Sequence, residues 1–233
     1  MATTTISTHQ RALRSTVALK ALMAITGLIL IGFLLIHMYG NLKAFSGADA
    51  YNHYAEWLKT EVLYPLIPKG QFIWIFRAFM LAAIVLHIGA AWHLTKRAHA
   101  ARSTKYVAKK TIQQTYESRM MRWGGVILAA LLVFHLAQFT VQAIHFGFKP
   151  GAGAYEMVVA EFQMFPMVLL YAVWVGVVCI HIRHGFWSAF ATLGANTSAK
   201  AREVLNALAW VVAVLLFVGF MAMPVAVLAG VIK

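Results

Sequence analysis

The chain is poor in acid. Seven Asp and Glu stand against twenty Lys and Arg, and charged residues make up only 12% of its 233 positions. A soluble domain carries about 25% charged residues, so a water-facing globule is excluded. Cysteine is nearly absent as well. The one thiol, Cys179, cannot hold an iron–sulfur cluster, which takes about four protein ligands, and it reads as a small packing residue. No Cys-x-x-Cys-His occurs, so any haem would be held without a covalent bond. No Gly-x-Gly-x-x-Gly follows a strand pattern, which removes a flavin domain. Internal repeats and low-complexity stretches are also missing.

What is abundant is apolar sequence, at 61%. Residues 21–42, 78–95, 123–148, 162–182 and 204–232 contain no Lys, Arg, Asp or Glu. Each is close to the roughly 20 residues a helix needs to cross a bilayer. The pattern predicts an all-α integral membrane protein, one membrane domain of five transmembrane helices at about 18–42, 71–97, 119–147, 161–193 and 201–232. The first run lacks a small-residue cleavage site and continues into polar, aromatic sequence, unlike a cleavable signal peptide. Residues 43–70 predict a short amphipathic segment at the outer interface, ended by Pro65 and Pro68, and residues 149–153 a turn. Pro166 falls in the first turns of the fourth span, where proline is tolerated.

A net charge of +13 would suit nucleic acid, but its distribution suits lipid instead. Eight of the twenty basic residues fall between Lys96 and Arg122, around a basic loop at 98–118. Arg11, Arg14 and Lys20 precede the first span, and Lys200 and Arg202 precede the fifth. Basic residues mark the cytoplasmic side. The N-terminus is therefore expected inside, the C-terminus outside, and no nucleic-acid partner is expected.

Four spans carry a histidine in their apolar stretch: His37, His87, His135 and His181. An ionisable residue in hydrocarbon is costly and usually faces the bundle interior with a partner. Helical rise converts position into depth. His37 and His135 lie roughly 25 and 20 Å from the cytoplasmic boundary, His87 and His181 roughly 14 and 10 Å. Two layers follow, an outer pair His37–His135 and an inner pair His87–His181. Neutral imidazole is a natural metal ligand, and two on one iron close both axial positions, which favours electron transfer over oxygen binding. The expected occupants are two stacked b-type haems. A lone histidine on an apolar helix is more often a packed core residue; four at matched depths are harder to explain that way. His184, one turn from His181, is the serious rival for its place. His93 and His145 lie nearer the boundaries, and His9, His53 and His99 read as interfacial. Gly89 and Gly176 could make room for a porphyrin, or simply mark helix packing.

Two stretches resemble a known family. His37-Met38-Tyr39-Gly40-Asn41, continuing through Phe45, Gly47 and Ala50 to Asn52, is similar to the first-helix signature of the di-haem cytochrome b membrane anchor of succinate dehydrogenase and fumarate reductase (complex II). His181-Ile182-Arg183-His184-Gly185-Phe186-Trp187-Ser188 resembles another of its motifs, and Arg97 to Tyr106 its cytoplasmic loop. The resemblance covers the chain and its five-helix count. It implies His37 and His135 on a distal haem iron, and His87 and His181 on a proximal one, in agreement with the depth argument. It implies flavoprotein and iron–sulfur subunits on the cytoplasmic face, carrying the flavin and iron–sulfur clusters that this chain lacks. Electrons from succinate would reach menaquinone through the two haems. The setting would be a bacterial cell membrane, in a complex that could oligomerise further. The chain alone would have no activity towards succinate.

Haem propionates need cationic partners. Arg183 near the inner layer and Arg77 near the outer one are candidates, and each could equally snorkel to an interface. A quinone needs a proton-exchanging group, for which His53, Glu56 and Glu61 lie on the expected side. Apart from boundary positions, no Asp or Glu falls inside a span. The rival readings are the haem b subunit of a hydrogenase, formate dehydrogenase or nitrate reductase, and a haem-free structural anchor. One ligand on each of the first four helices favours complex II. The lack of paired intramembrane charges and broken half-helices speaks against a transporter.

Overall fold

The computed structural model describes residues 15–101 and 116–233, with no strand among them. Helices α1 (Thr16–Leu42), α2 (Ala48–Thr60), α3 (Phe72–Ala100), α4 (Tyr116–His135), α5 (Ala154–Phe162), α6 (Phe165–Thr192) and α7 (Ala199–Leu228) follow in order. Of these, α1, α3, α4, α6 and α7 are long and apolar enough to cross a membrane. His9, Arg11, Arg14 and most of the basic 98–118 linker lie outside the described residues.

Local chemistry sets the helix starts. Ser15 and Ser198 offer side-chain oxygens to the backbone N–H groups of Ala18 and Ala201 at 3.1 and 3.0 Å, capping α1 and α7. On α3 the Arg77 guanidinium lies 4.9 Å from the Trp74 ring, and Lys96 Nζ lies 5.2 Å from the Trp92 ring. The two tryptophans are separated by about 27 Å of helix, close to the roughly 30 Å of a hydrocarbon core. Each end of α3 thus carries an aromatic and a cation, as membrane interfaces favour. Between them Leu81 and Val85 are 62% and 59% exposed, a surface suited to lipid tails.

α1 and α6 form the centre. α1 packs on α3, α6 and α7; α6 packs on α1, α4 and α7. Hydrocarbon supplies little hydrophobic drive between helices, so close backbone approach carries more of the stability. Gly219 of α7 is such a contact: a Cβ there would stand only 2.8 Å from Met38 Cγ of α1. Gly219→Leu should therefore cost about 1–3 kcal/mol through overpacking. Thermal unfolding in detergent would register the loss, and Met38→Ala in the same chain should recover part of it. Equal stability of Gly219→Leu and wild type would contradict this packing.

Two boundaries differ from expectation. The third span was expected to run to about 147, but α4 passes at His135 into a π-turn, Leu136–Thr140, and the helix ends there. Gln142 then takes a left-handed conformation (φ 57°), and its side-chain Oε1 accepts the Gly151 N–H at 2.9 Å. The fourth span was expected from about 161, but a separate α5 precedes it. Met164 is extended (φ −91°, ψ 114°) and breaks the helix, and α6 restarts with Pro166 in its first turn. Asn52 of α2 caps α5, accepting the Tyr155 N–H at 2.9 Å. Residues 43–70 hold a helix, α2, that stops at Thr60, ahead of Pro65 and Pro68.

Candidate functional site

The four histidines meet as two pairs. His37 of α1 and His135 at the end of α4 lie with ring centres 6.0 Å apart and planes at 79°. His87 of α3 and His181 of α6 lie 6.4 Å apart at 63°. Among the described residues α1 and α4 share no extensive helix contact, and neither do α3 and α6. The rings therefore reach across the diagonals of a four-helix arrangement rather than along its seams. Two imidazoles on opposite sides of one metal, at about 2.0–2.1 Å per nitrogen and about 1.1 Å from nitrogen to ring centre, stand about 6.3 Å apart. Both pairs are close to that spacing. Among the described residues no cluster of three or more His, Cys, Asp or Glu occurs. A haem iron asks the protein only for axial ligands, so paired histidines fit its donor set.

Hydrogen bonds orient two of the rings. His87 Nδ1 lies 3.1 Å from the Met23 carbonyl oxygen and 3.2 Å from Thr26 Oγ1. A carbonyl can only accept, and Thr26 donates its own proton to the Leu22 carbonyl at 2.7 Å. His87 Nδ1 must then carry the proton, which leaves Nε2 as the metal-binding nitrogen. His135 follows the same logic with side chains. Its Nδ1 lies 3.1 Å from Tyr171 Oη, whose proton goes to Gln138 Oε1 at 2.6 Å. Again Nδ1 donates and Nε2 is left free. His37 is held by rings instead, stacked on Phe33 at 5.3 Å and tilted against Phe220 at 5.9 Å. His181 Nδ1 is buried and has no hydrogen-bond partner.

The glycines beside the rings are not the expected ones. A Cβ at Gly27 of α1 would stand 3.2 Å from His87 Cε1, so this glycine lets the ring lie on the α1 backbone. Gly125 of α4 faces His181 Cε1 at an ordinary 3.9 Å. Gly89 has open space around its Cβ position, and so does Gly176, which lines a groove with Cys179 between α6 and α7. Only the fold brings Gly27 and Gly125 to the histidines, and their spacing in sequence carries no such signal.

The remaining candidates are dispersed. Arg183 follows His181 by two residues, about 200° around the helix. It donates to Asn206 Oδ1 at 3.2 Å and lies 4.9 Å from the Trp210 ring, so it is turned to α7. Arg77 is exposed beside Trp74. His53 and Glu56 are exposed on α2, and Glu61 is held by Lys69 Nζ at 2.7 Å. His93 and His145 are exposed. Among the described residues, the contacts of Arg77 and Glu61 and the exposed positions of His53 and Glu56 lie apart from the paired histidine rings. α2 instead carries Tyr51, whose phenol is pushed up to about 12 by burial and, secondarily, by Tyr54. Tyr54 is also raised, by burial first and then Tyr39, against the opposing pull of Lys43. Tyr51 accordingly keeps its proton at neutral pH.

Tyr171, Gln138 and Glu161 also stand at or near the outer pair's end of the bundle, and none carries a motif in the sequence. Gln138 and Glu161 are fully buried polar residues in an otherwise apolar bundle, and an uncompensated polar group in such a place is costly. Their signal in the sequence was only that cost. No protein-family model, curated protein or solved structure matches this chain.

Proposed function

We propose that this chain is the cytochrome b membrane anchor of a succinate:menaquinone oxidoreductase, holding two haems b between paired histidines. The carrying observation is the meeting of His37 with His135 and of His87 with His181 at 6.0 and 6.4 Å, across helices that are otherwise not in extensive contact. Bound haem would supply one-electron redox chemistry at neutral pH. The chain's own part is to fix four imidazoles, to select the Nδ1–H tautomer at His87 and His135, and to exclude water with the rings around His37. Lys96 and Arg97 at the C-terminal end of α3, with Lys200 and Arg202 at the start of α7, support a cytoplasmic face there, to which a flavoprotein and an iron–sulfur subunit would dock. Quinone would react at the opposite end, beside His37 and His135.

The purified complex should contain about two haems per copy of this chain, both in low-spin, bis-histidine form. Haem extraction and the dithionite-reduced spectrum measure this directly. A preparation without reduced b-type bands would leave only a haem-free anchor.

A further inference from the structure

The side of α6 opposite His181 carries a groove. Gly176, Cys179 and Arg183 line it with Trp210, Ala213 and Phe217 of α7, around a hollow of about 340 Å³. The three α6 residues stand roughly 160–220° around the helix from His181. Trp210 and Val214 on its α7 wall are 52% and 53% exposed, so the groove opens towards lipid and not into the bundle. A second, adjoining hollow shares Trp210 and Val214 and runs on past Leu215 to Val218. From Trp210 the two hollows extend about 10–12 Å along α7. Arg183 is the one charged residue that lines either of them.

Past Trp210, towards the start of α7, the chemistry turns polar. Arg183 lies 4.9 Å from the Trp210 ring and donates to Asn206 Oδ1 at 3.2 Å. Its long side chain thus carries the charge a turn closer to the helix start, as an arginine on a membrane span does when it reaches for the interface. Arg202, Asn206 and Trp210 follow one another at four-residue spacing on one stripe of α7. Arg202 is exposed and donates to the Asn196 carbonyl at 3.4 Å, while exposed Lys200 meets Glu203 at 3.7 Å. Three cations at this end stand against one acid. From Arg202 to Phe217 the stripe passes from cation to amide to indole to hydrocarbon. A phospholipid has the same order: phosphate, ester, acyl chain.

We propose that the groove between α6 and α7 binds one anionic glycerophospholipid, from the leaflet on the side of Lys200 and Arg202. Its phosphate lies by Arg183, Asn206 and Arg202, its ester region at Trp210, and its two acyl chains in the two adjoining hollows. A basic pocket between spans is suited to an anionic head group. Guanidinium matches phosphate geometry and stacks on an aromatic face at the same time. The charge decides the choice of lipid, because a purely apolar groove would take any chain whatever its head group. It also disfavours a second copy of this chain, since a two-fold contact through this face would turn Arg183 towards its own counterpart. The site stands apart from the histidine pairs and does not depend on what they hold.

The test is native mass spectrometry of the purified, delipidated complex, titrated with dioleoyl phosphatidylglycerol or with dioleoyl phosphatidylcholine. The chains are the same and only the net charge of the head group differs. The first phosphatidylglycerol should bind about fivefold more tightly, the worth of one basic residue near an anionic head group. Arg183→Gln should abolish that preference, and Arg183→Lys should keep most of it. The Cβ position of Gly176 is open, so Gly176→Leu should fill the groove without a clash and weaken both lipids alike. Equal affinity for the two lipids in wild type, or an undiminished preference in Arg183→Gln, overturns the proposal. So does loss of the preference in excess inorganic phosphate, which would make this a site for a free anion. Pairing of two complexes that blocks lipid binding would make the occupant a second copy, with the same consequence. Any b-type absorption of the wild type should be unchanged in Arg183→Gln; its loss there would assign Arg183 to the histidine pairs and overturn the lipid site.

Discussion

His37→Ala and His135→Ala should each remove the same b-type absorption band and leave the other. The haem content should fall from about two per chain to about one, because a bis-histidine iron cannot keep its low-spin form with one axial ligand gone. His87→Ala and His181→Ala should remove the other band. The decisive comparison is the double variant. If His37 and His135 serve one iron, His37→Ala with His135→Ala should lose no more haem than either alone, as expected for residues that act as a unit. His37→Ala with His87→Ala should lose both. Reduced-minus-oxidised spectra at low temperature, with haem extraction, separate these outcomes. If His37→Ala and His87→Ala removed the same band, the pairing would be wrong whatever the total haem content.

That pairing was legible because it depends on so little. Helical rise is constant, and with the direction that the basic residues predict for each span two depths follow for four histidines. The ring contacts at 6.0 and 6.4 Å join the same partners. Helix ends were less legible. The run from Trp123 to Phe148 is free of Asp, Glu, Lys and Arg, so composition alone extends the third span. The chain leaves the helix after Thr140 because Gln142, in a left-handed conformation, folds the segment back and satisfies Gly151. Side-chain partners were the least legible. Tyr171 is 36 residues from His135, and nothing in the spacing of either predicts that a tyrosine on α6 will orient a histidine on α4. In the sequence Glu161 reads as a boundary residue, since a lone acid beside an apolar run usually reaches water. In the structure it is instead fully buried in the last turn of α5, ahead of the break at Met164.

The two oriented histidines should differ in how much they depend on their partners. Tyr171→Phe removes the one oxygen that His135 Nδ1 hydrogen-bonds among the described residues and also strands Gln138 Oε1. Each buried group left unpaired costs about 1–3 kcal/mol, and loss of a partner behind a metal-binding histidine typically costs about 10–100-fold in metal affinity. Thr26→Val removes one of the two oxygens near His87 Nδ1, but the Met23 carbonyl remains at 3.1 Å. A backbone acceptor cannot be mutated away, so the His87 tautomer survives. Haem on the His37–His135 pair should therefore leave the Tyr171→Phe complex about 10–100-fold more readily, with its potential displaced. Haem on the His87–His181 pair should scarcely respond to Thr26→Val. Transfer of haem to a competing haem-binding protein, followed band by band, measures both. Equal losses in the two variants would mean that Tyr171 acts through packing, and that the hydrogen bond to His135 contributes little.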